Sequence, residues 1–384
     1  MIATLLFTYH RFKHTKRVLE ALEQNTHMPE KLIIFQDGVK ETTNLYDWHK
    51  VNDYIKNVDF CEKEVIVSPC NKGLANSIIQ GVDYAFETYD KVIVLEDDCV
   101  PAVDFINFME QAFSQYERQK EVWSVSGYAW PLNLVADRYD IYFTGRVSSW
   151  GWGTWKDRWN KFSRNYQVMD KILENDEKRL NLLRWGKDLE PMLEDRKKGK
   201  NDSWAVFWAL LVIEENGKCV VPYKSLIRNI GNDGSGTNCA VTNRYEVKLD
   251  KQKDIQYRFP TTVVFDENVC EKFTELYGSK FVKACKTENG FSILVYGAGR
   301  YMRKHDSMLY DEYNVLAIID RDKTGQYGCI PIIKVNQIKK YHYDYIVIMI
   351  QNDTVCGEIK NMLVQKYKVS GEKIVYGKDL LKEG

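Results

Sequence analysis

The run Val92-Ile-Val-Leu-Glu96-Asp97-Asp98 places three carboxylates directly behind four branched apolar residues. The apolar run predicts a short buried strand, and ligands of α/β proteins sit beyond the carboxyl ends of such strands. Adjacent carboxylates repel one another, and a divalent cation relieves that repulsion. Hard oxygen donors suit Mg²⁺ or Mn²⁺, with a phosphate group completing the shell. A solvated acidic turn would carry the same letters. Further candidates lie at other strand ends and loops: Arg11, Asp37 in Phe35-Gln-Asp-Gly38, Lys72 in Asn71-Lys-Gly73, and Asp202 in Asn201-Asp-Ser-Trp204.

These groups need elements to hold them. Ile2–Thr8, Lys31–Phe35, Glu64–Val67 and Lys91–Leu95 read as strands, with helices at Thr15–Gln24 and Ala75–Thr88 between them. Such alternation predicts a mostly parallel sheet covered by helices, an α/β fold. Val122–Ser126 reads as a further strand. The charged stretch Asp170–Lys200, with spaced Leu and Met, reads as surface helices. Asp202-Ser203 then precedes an apolar helix, Trp204–Glu215, that stops at Asn216-Gly217.

A second α/β unit starts near Phe291. Ser292–Tyr296, Val315–Ile319 and Tyr345–Ile350 read as strands, and Tyr301–Tyr310 as a helix after Gly297-Ala-Gly299. The chain thus divides into residues 1–240, a linker or helical extension over 241–290, and a smaller domain over 291–384.

Composition excludes several classes. The 54 Lys and Arg residues balance 54 Asp and Glu, so no global field favours nucleic acid or an anionic membrane. Nine cysteines without a Cys-x-x-Cys pair suit free thiols in a reducing cytoplasm. No apolar run approaches the length of a membrane span. Nine of the ten tryptophans fall between Trp123 and Trp208, which suits either a carbohydrate-stacking surface or an aromatic core.

Phe35-Gln-Asp37-Gly38, the Glu96-Asp97-Asp98 triplet and the late loop Ile230-Gly-Asn-Asp-Gly-Ser-Gly-Thr237 together resemble a GT-A glycosyltransferase. The pattern is similar to N-acetylglucosaminyltransferase I and to bacterial family-2-like transferases, over roughly the first 240 residues. The resemblance implies a GT-A fold, a nucleotide-sugar donor, Mn²⁺ or Mg²⁺, and an inverting displacement at the anomeric carbon. It makes Asp98 the metal ligand and turns Glu96 and Asp97 towards sugar and ribose hydroxyls. It makes Asp37 the acceptor for the uracil N3–H, a role that competes with turn formation in Asp-Gly. Arg11 becomes a base and phosphate contact, and Lys72 a phosphate contact. Asp202 becomes the general base, although Asp also suits a helix N-cap at that point. Ser203 stands where relatives carry a second acid. Trp150 and Trp152 would floor the acceptor site, and Ser235 would lie in a lid over the diphosphate. Asn238 replaces a His frequent in relatives, and His10 and His14 read as surface or packing residues.

The second unit resembles small Rossmann-like modules attached to bacterial surface-polysaccharide enzymes. Met302 stands where a third glycine would be, so binding of NAD and a protein-docking role both stay open. The expectation is a cytoplasmic transferase moving N-acetylglucosamine or a related hexose from UDP onto a glycan or lipid-linked glycan, with association at the inner face of the membrane left open. The alternatives are a sugar-nucleotide-modifying enzyme acting through the C-terminal domain and a non-catalytic carbohydrate-binding protein on a transferase scaffold.

Overall fold

The computed structural model describes residues 1–136, 138–163, 166–186, 188–233, 244–277, 291–306, 309, 313–327 and 330–380. It forms two compact units, Met1–Glu174 with Asn181–Ser279, and Asn175–Leu180 with Lys280–Gly384.

In the first unit β1 (Ile2–Thr8), β2 (Leu32–Gln36), β3 (Lys63–Val67) and β4 (Lys91–Glu96) run parallel in the spatial order β3-β2-β1-β4. The connecting helices are α1 (Phe12–Glu23), α2 (Leu45–Lys56) and α3 (Leu74–Thr88). From β1 the chain moves outward through β2 and β3, then returns to the other side of β1 as β4. Loops leaving β1 and β4 therefore diverge, which opens a crevice at their carboxyl ends. Val92–Leu95 is buried throughout, as a central parallel strand requires. On α1 the buried positions Thr15, Val18, Leu19 and Leu22 keep helical spacing and turn the charged residues outward.

The chain continues through β5 (Cys99–Pro101), α4 (Phe105–Tyr116), β6 (Val122–Ser126), β7 (Ile141–Thr144) and β8 (Trp152–Trp155). It then runs through α5 (Lys156–Trp159), α6 (Tyr166–Glu174), α7 (Asp176–Arg184), whose residues up to Leu180 belong to the second unit, α8 (Leu189–Lys197) and α9 (Ala205–Glu214). β9 (Lys218–Pro222), β10 (Ile227–Asn229) and α10 (Glu267–Tyr277) complete the unit. Beyond β4 the sheet is extended by β8, β6, β9 and β7, with β8 antiparallel to both its neighbours. β5 and β10 form a separate antiparallel ribbon beside the end of β4.

The tryptophan concentration is mostly core. Eight of the nine between Trp123 and Trp208 are buried, Trp150 being the exception. Trp152 meets Trp204 at 5.0 Å between ring centroids, and Trp159 meets Trp208 at 5.4 Å. Helix α9 is apolar nearly all round and buried accordingly.

The described part of 241–290 is no mere linker. Asp104, fully buried, accepts hydrogen bonds from the Asp254 N–H at 2.8 Å and the Tyr257 hydroxyl at 3.0 Å. It also takes Thr26 Oγ1 at 2.6 Å and Asn107 Nδ2 at 3.0 Å, so one carboxylate fastens this segment to α4. Nothing in the local sequence marks Asp104 for that role.

The second unit has β11 (Ser292–Tyr296), α11 (Arg300–Lys304), β12 (Asn314–Ile319), β13 (Gly325–Tyr327), β14 (Ile330–Ile333), β15 (Tyr345–Ile348) and β16 (Ile374–Tyr376). Their order is β13-β14-β12-β11-β15-β16, parallel except for the edge strand β13. Ile293 and Val295 belong to one core cluster and Leu294 and Tyr296 to another, so both faces of the sheet are covered.

Candidate functional site

Strand register brings the sequence candidates together. Phe7 pairs with Glu96 across β1 and β4, and Gln36 pairs with both Thr8 and Val67. Residues that follow these strands are therefore neighbours. A cavity of about 610 Å³ opens at this end of the sheet, and Arg11, Asp37, Lys72, Glu96, Asp97, Asp98 and Asp202 all line it.

Arg11 sits at the N-terminal boundary of α1, one strand away from the carboxylate triplet. Its Nη2 lies 2.8 Å from Asp98 Oδ2 and also pairs with Asp97 Oδ1, while its Nε reaches Asp97 Oδ2 at 3.3 Å. Asp98 accepts in addition from Asn229 Nδ2 at 3.3 Å, and its main-chain carbonyl takes the Ile230 N–H at 2.9 Å. Gly231 lies so close that a Cβ there would stand 2.1 Å from Asp98 Oδ2. The glycine-rich loop thus begins in contact with the triplet.

Three carboxylates share this one guanidinium. Burial, and then the charges of Asp98 and Asp97, push Glu96 well above the ordinary carboxylate range. Burial likewise raises Asp97 to about 6, outweighing the opposing pull of Arg11. Burial would weaken the charge on Arg11, but Asp97 and Asp98 hold it firmly cationic. The carboxyl groups are in excess over positive charge, the condition under which a hard divalent cation is welcome. Among the described residues no three His, Cys, Asp or Glu side chains are grouped to hold a metal alone. A single aspartate sharing its ion with diphosphate oxygens and water does not require such a group.

Asp37 spends its carboxylate on the neighbouring loops. Oδ1 accepts from the Gly38 N–H at 2.9 Å and the Lys72 N–H at 2.8 Å, and Oδ2 from the Gly73 N–H at 3.0 Å. Gly38 packs on the main chain of Cys70, where a Cβ would fall 2.3 Å from a backbone carbon. Gln36 donates to the carbonyls of Tyr9 and Trp48, at 3.1 and 2.9 Å, and fixes this corner further. Lys72 itself is exposed at the cavity edge.

Asp202 is not the cap of α9. The boundary residue there is Trp204, with no side-chain cap. The Asp202 carboxylate is 51% exposed, pairs with Arg196 at 3.0 Å, and lines the cavity near Gly73.

The expected acceptor floor is arranged differently. Trp152 is 0% exposed within β8 and its indole is core, since the strand faces a layer of other tryptophans. Trp150 is partly buried against Tyr128 at 4.8 Å and Tyr245 at 5.9 Å, and does not line the cavity. Ser235 lies outside the described residues. His10, read as a surface or packing residue, lines the cavity, and burial lowers its pKa. His14 pairs with Asp233 of the glycine-rich loop at 3.1 Å. His10 was findable from its place beside Arg11 after β1, whereas Asn229 carried no sequence signal.

In the second unit Gly297-Ala-Gly299 does follow a strand, and Asp320 does end the next one. The Asp320 carboxylate, however, accepts the N–H groups of Ala298 at 2.9 Å, Asp322 at 2.9 Å and Lys323 at 3.0 Å. It braces two loops of the unit, and its oxygens are largely committed to that.

Residues 291–374 match the family described as C2185-like, N-terminal. No curated protein is significantly similar in sequence. Among solved structures the chain is similar to the mannosyltransferase PcManGT from Pyrobaculum calidifontis, in complex with GDP-Man and Mn²⁺, at 13% identity and a TM-score of 0.31 over 41% of this chain and 44% of that one. It is also similar to S. aureus TarS at 9% identity and a TM-score of 0.33, over 59% of this chain and 36% of that one. For TarS 1-349 in complex with UDP-GlcNAc the identity is 11% and the TM-score 0.28, over 40% of this chain and 45% of that one. The chain spans less than two thirds of each of these proteins.

Proposed function

We propose that the first unit is a GT-A-type glycosyltransferase that moves a sugar, N-acetylglucosamine or a related hexose, from its UDP form to a glycan or lipid-linked glycan. One observation carries this: seven residues singled out across almost two hundred positions line a single cavity at the switch point of the sheet. In this scheme the Arg11 guanidinium and the Lys72 ammonium bind and orient the donor. Glu96 and Asp97 accept from its hydroxyls. Asp202 takes the proton of the acceptor hydroxyl as that oxygen attacks the anomeric carbon from the face opposite the diphosphate. The new C–O bond forms as the bond to the diphosphate oxygen breaks, UDP leaves with the electron pair, and configuration inverts. Bound Mn²⁺ or Mg²⁺, with Asp98 as its protein ligand, would supply Lewis-acid neutralisation of the departing diphosphate. We place the reaction in the cytoplasm, at or near the inner face of the membrane when the acceptor is lipid-linked. No helix among the described residues is long and apolar enough to cross a membrane.

The test is donor binding and turnover in the full-length protein. UDP-sugars with Mn²⁺ should raise the melting temperature and be hydrolysed slowly without acceptor. Asp202→Asn should keep the thermal shift and lose hydrolysis by at least about a hundredfold. Unchanged hydrolysis removes Asp202 from the scheme, and no shift with any nucleotide sugar removes the scheme itself.

A further inference from the structure

We propose that Arg11 is an internal counterion that keeps a divalent cation out of the carboxylate triplet until a diphosphate arrives, so that cation and donor enter as a coupled pair. This rests on the nucleotide-sugar reading of the same cavity. The guanidinium bridges Asp97 and Asp98, at 2.8 Å from the latter. The second oxygen of Asp98 accepts from Asn229 at 3.3 Å and faces the Cys99 thiol at 3.6 Å. Both oxygens of the candidate ligand are therefore engaged. A cation approaching Asp98 meets a positive charge already in place, and like charges at contact distance in a site this buried repel strongly.

Arg11 also has something left to give. Its Nη1 is buried and has no hydrogen-bond partner among the described residues, and a buried donor left this way calls for an acceptor. The guanidinium fork matches phosphate oxygens two at a time. A diphosphate in the cavity can take Nη1 and draw the fork off Asp98, freeing that carboxylate just as phosphate oxygens become available to complete a metal shell. The main chain of Arg11 is fixed, since its carbonyl accepts the Thr15 N–H at 3.0 Å, so the movement is confined to a side chain. Reciprocity then requires that the cation tighten donor binding by the same factor.

Equilibrium dialysis of full-length protein, with retained Mn²⁺ read by electron paramagnetic resonance, tests this against protein-free chambers holding the same UDP. The wild type should retain Mn²⁺ at least about tenfold more tightly with UDP than without it. Arg11→Gln, shown folded by circular dichroism, should bind Mn²⁺ alone about tenfold more tightly than the wild type and lose most of the coupling. Tight Mn²⁺ binding by the wild type without UDP overturns the proposal with no variant needed, and UDP binding would still stand. Weak Mn²⁺ binding by a folded Arg11→Gln without UDP also overturns it, because some other group then excludes the ion. If UDP is retained by neither protein, with or without Mn²⁺, the donor reading fails and takes this proposal with it.

Discussion

Gly231→Ala puts a methyl group against the triplet. The added Cβ would stand 2.1 Å from Asp98 Oδ2 and 3.2 Å from Arg11 Nη1, where ordinary contact begins near 3.4 Å. The loop cannot simply lift. The Gly231 N–H is tied to Asn229 Oδ1 at 2.8 Å and the Ile230 N–H to the Asp98 carbonyl at 2.9 Å. The carboxylate must therefore move by more than an ångström to reach ordinary contact. Overpacking of this size costs about 1–3 kcal/mol, or roughly 5- to 150-fold in an equilibrium constant. Because the displaced group is the candidate metal ligand, the cost should appear in the affinity for UDP with Mn²⁺ and hardly at all in the secondary structure. Titration calorimetry of UDP in saturating Mn²⁺, paired with far-ultraviolet circular dichroism, reads both. Wild-type affinity in a folded Gly231→Ala would refute the view that this glycine is needed for the orientation of Asp98.

Trp152→Ala should destabilise the first unit by about 3–5 kcal/mol, because its ring lies in a layer with Trp159, Trp204 and Trp208. Trp150→Ala should cost much less, and equal losses of melting temperature would contradict the burial described here. Asp320→Asn tests the bracing of the second unit. Burial alone would raise the Asp320 pKa, but the N–H groups of Lys323, Ala298 and Asp322 outweigh it and hold the carboxyl below its usual range. A depressed carboxylate contributes stability that is full above its unfolded pKa of about 3.9 and is lost as pH falls through the folded value. The wild type should therefore melt higher than the variant at pH 7, with a gap that closes below about pH 4. A gap independent of pH would show that the carboxylate charge is not what braces those loops.

The parallel half of the first sheet was legible because its strands are dense apolar runs with polar boundaries. Ile2–Thr8 was predicted to the residue there, as were Val122–Ser126 in the other half of that sheet and Ser292–Tyr296 in the second unit. Helix α2 was not, since only Val51, Asn52 and Ile55 are buried and its start depends on Asn44 accepting the Asp47 N–H at 3.2 Å. β7, β8 and β9 were missed for a different reason. Their pairing joins segments up to about 96 residues apart, antiparallel at three junctions, and no local period announces that. Tryptophan enrichment was visible, but composition is silent on which face an indole takes. The layer of Trp152, Trp204 and Trp208 is a tertiary result, and it turned an expected sugar floor into core.

The candidate site was more legible than the fold around it, for a physical reason. In a parallel sheet every strand delivers its following loop to the same edge, so residues just after β1, β2, β3 and β4 must meet whatever the details of packing. Order along the chain was enough to assemble Arg11, Asp37, Lys72 and the triplet. What order cannot give is how their bonds are shared. Asp37 suited either turn formation or base recognition, and the structure makes these less opposed than they looked. A carboxylate offers about four lone-pair positions, and Gly38, Lys72 and Gly73 fill three from the main chain. One position is left for an incoming imide N–H. Base recognition at Asp37 would thus be tied to the order of the Lys72–Gly73 loop, since the same carboxylate holds that loop and belongs to a residue lining the cavity. On the proposed function, the loop beside the donor phosphates would then be set by the residue proposed to read the base.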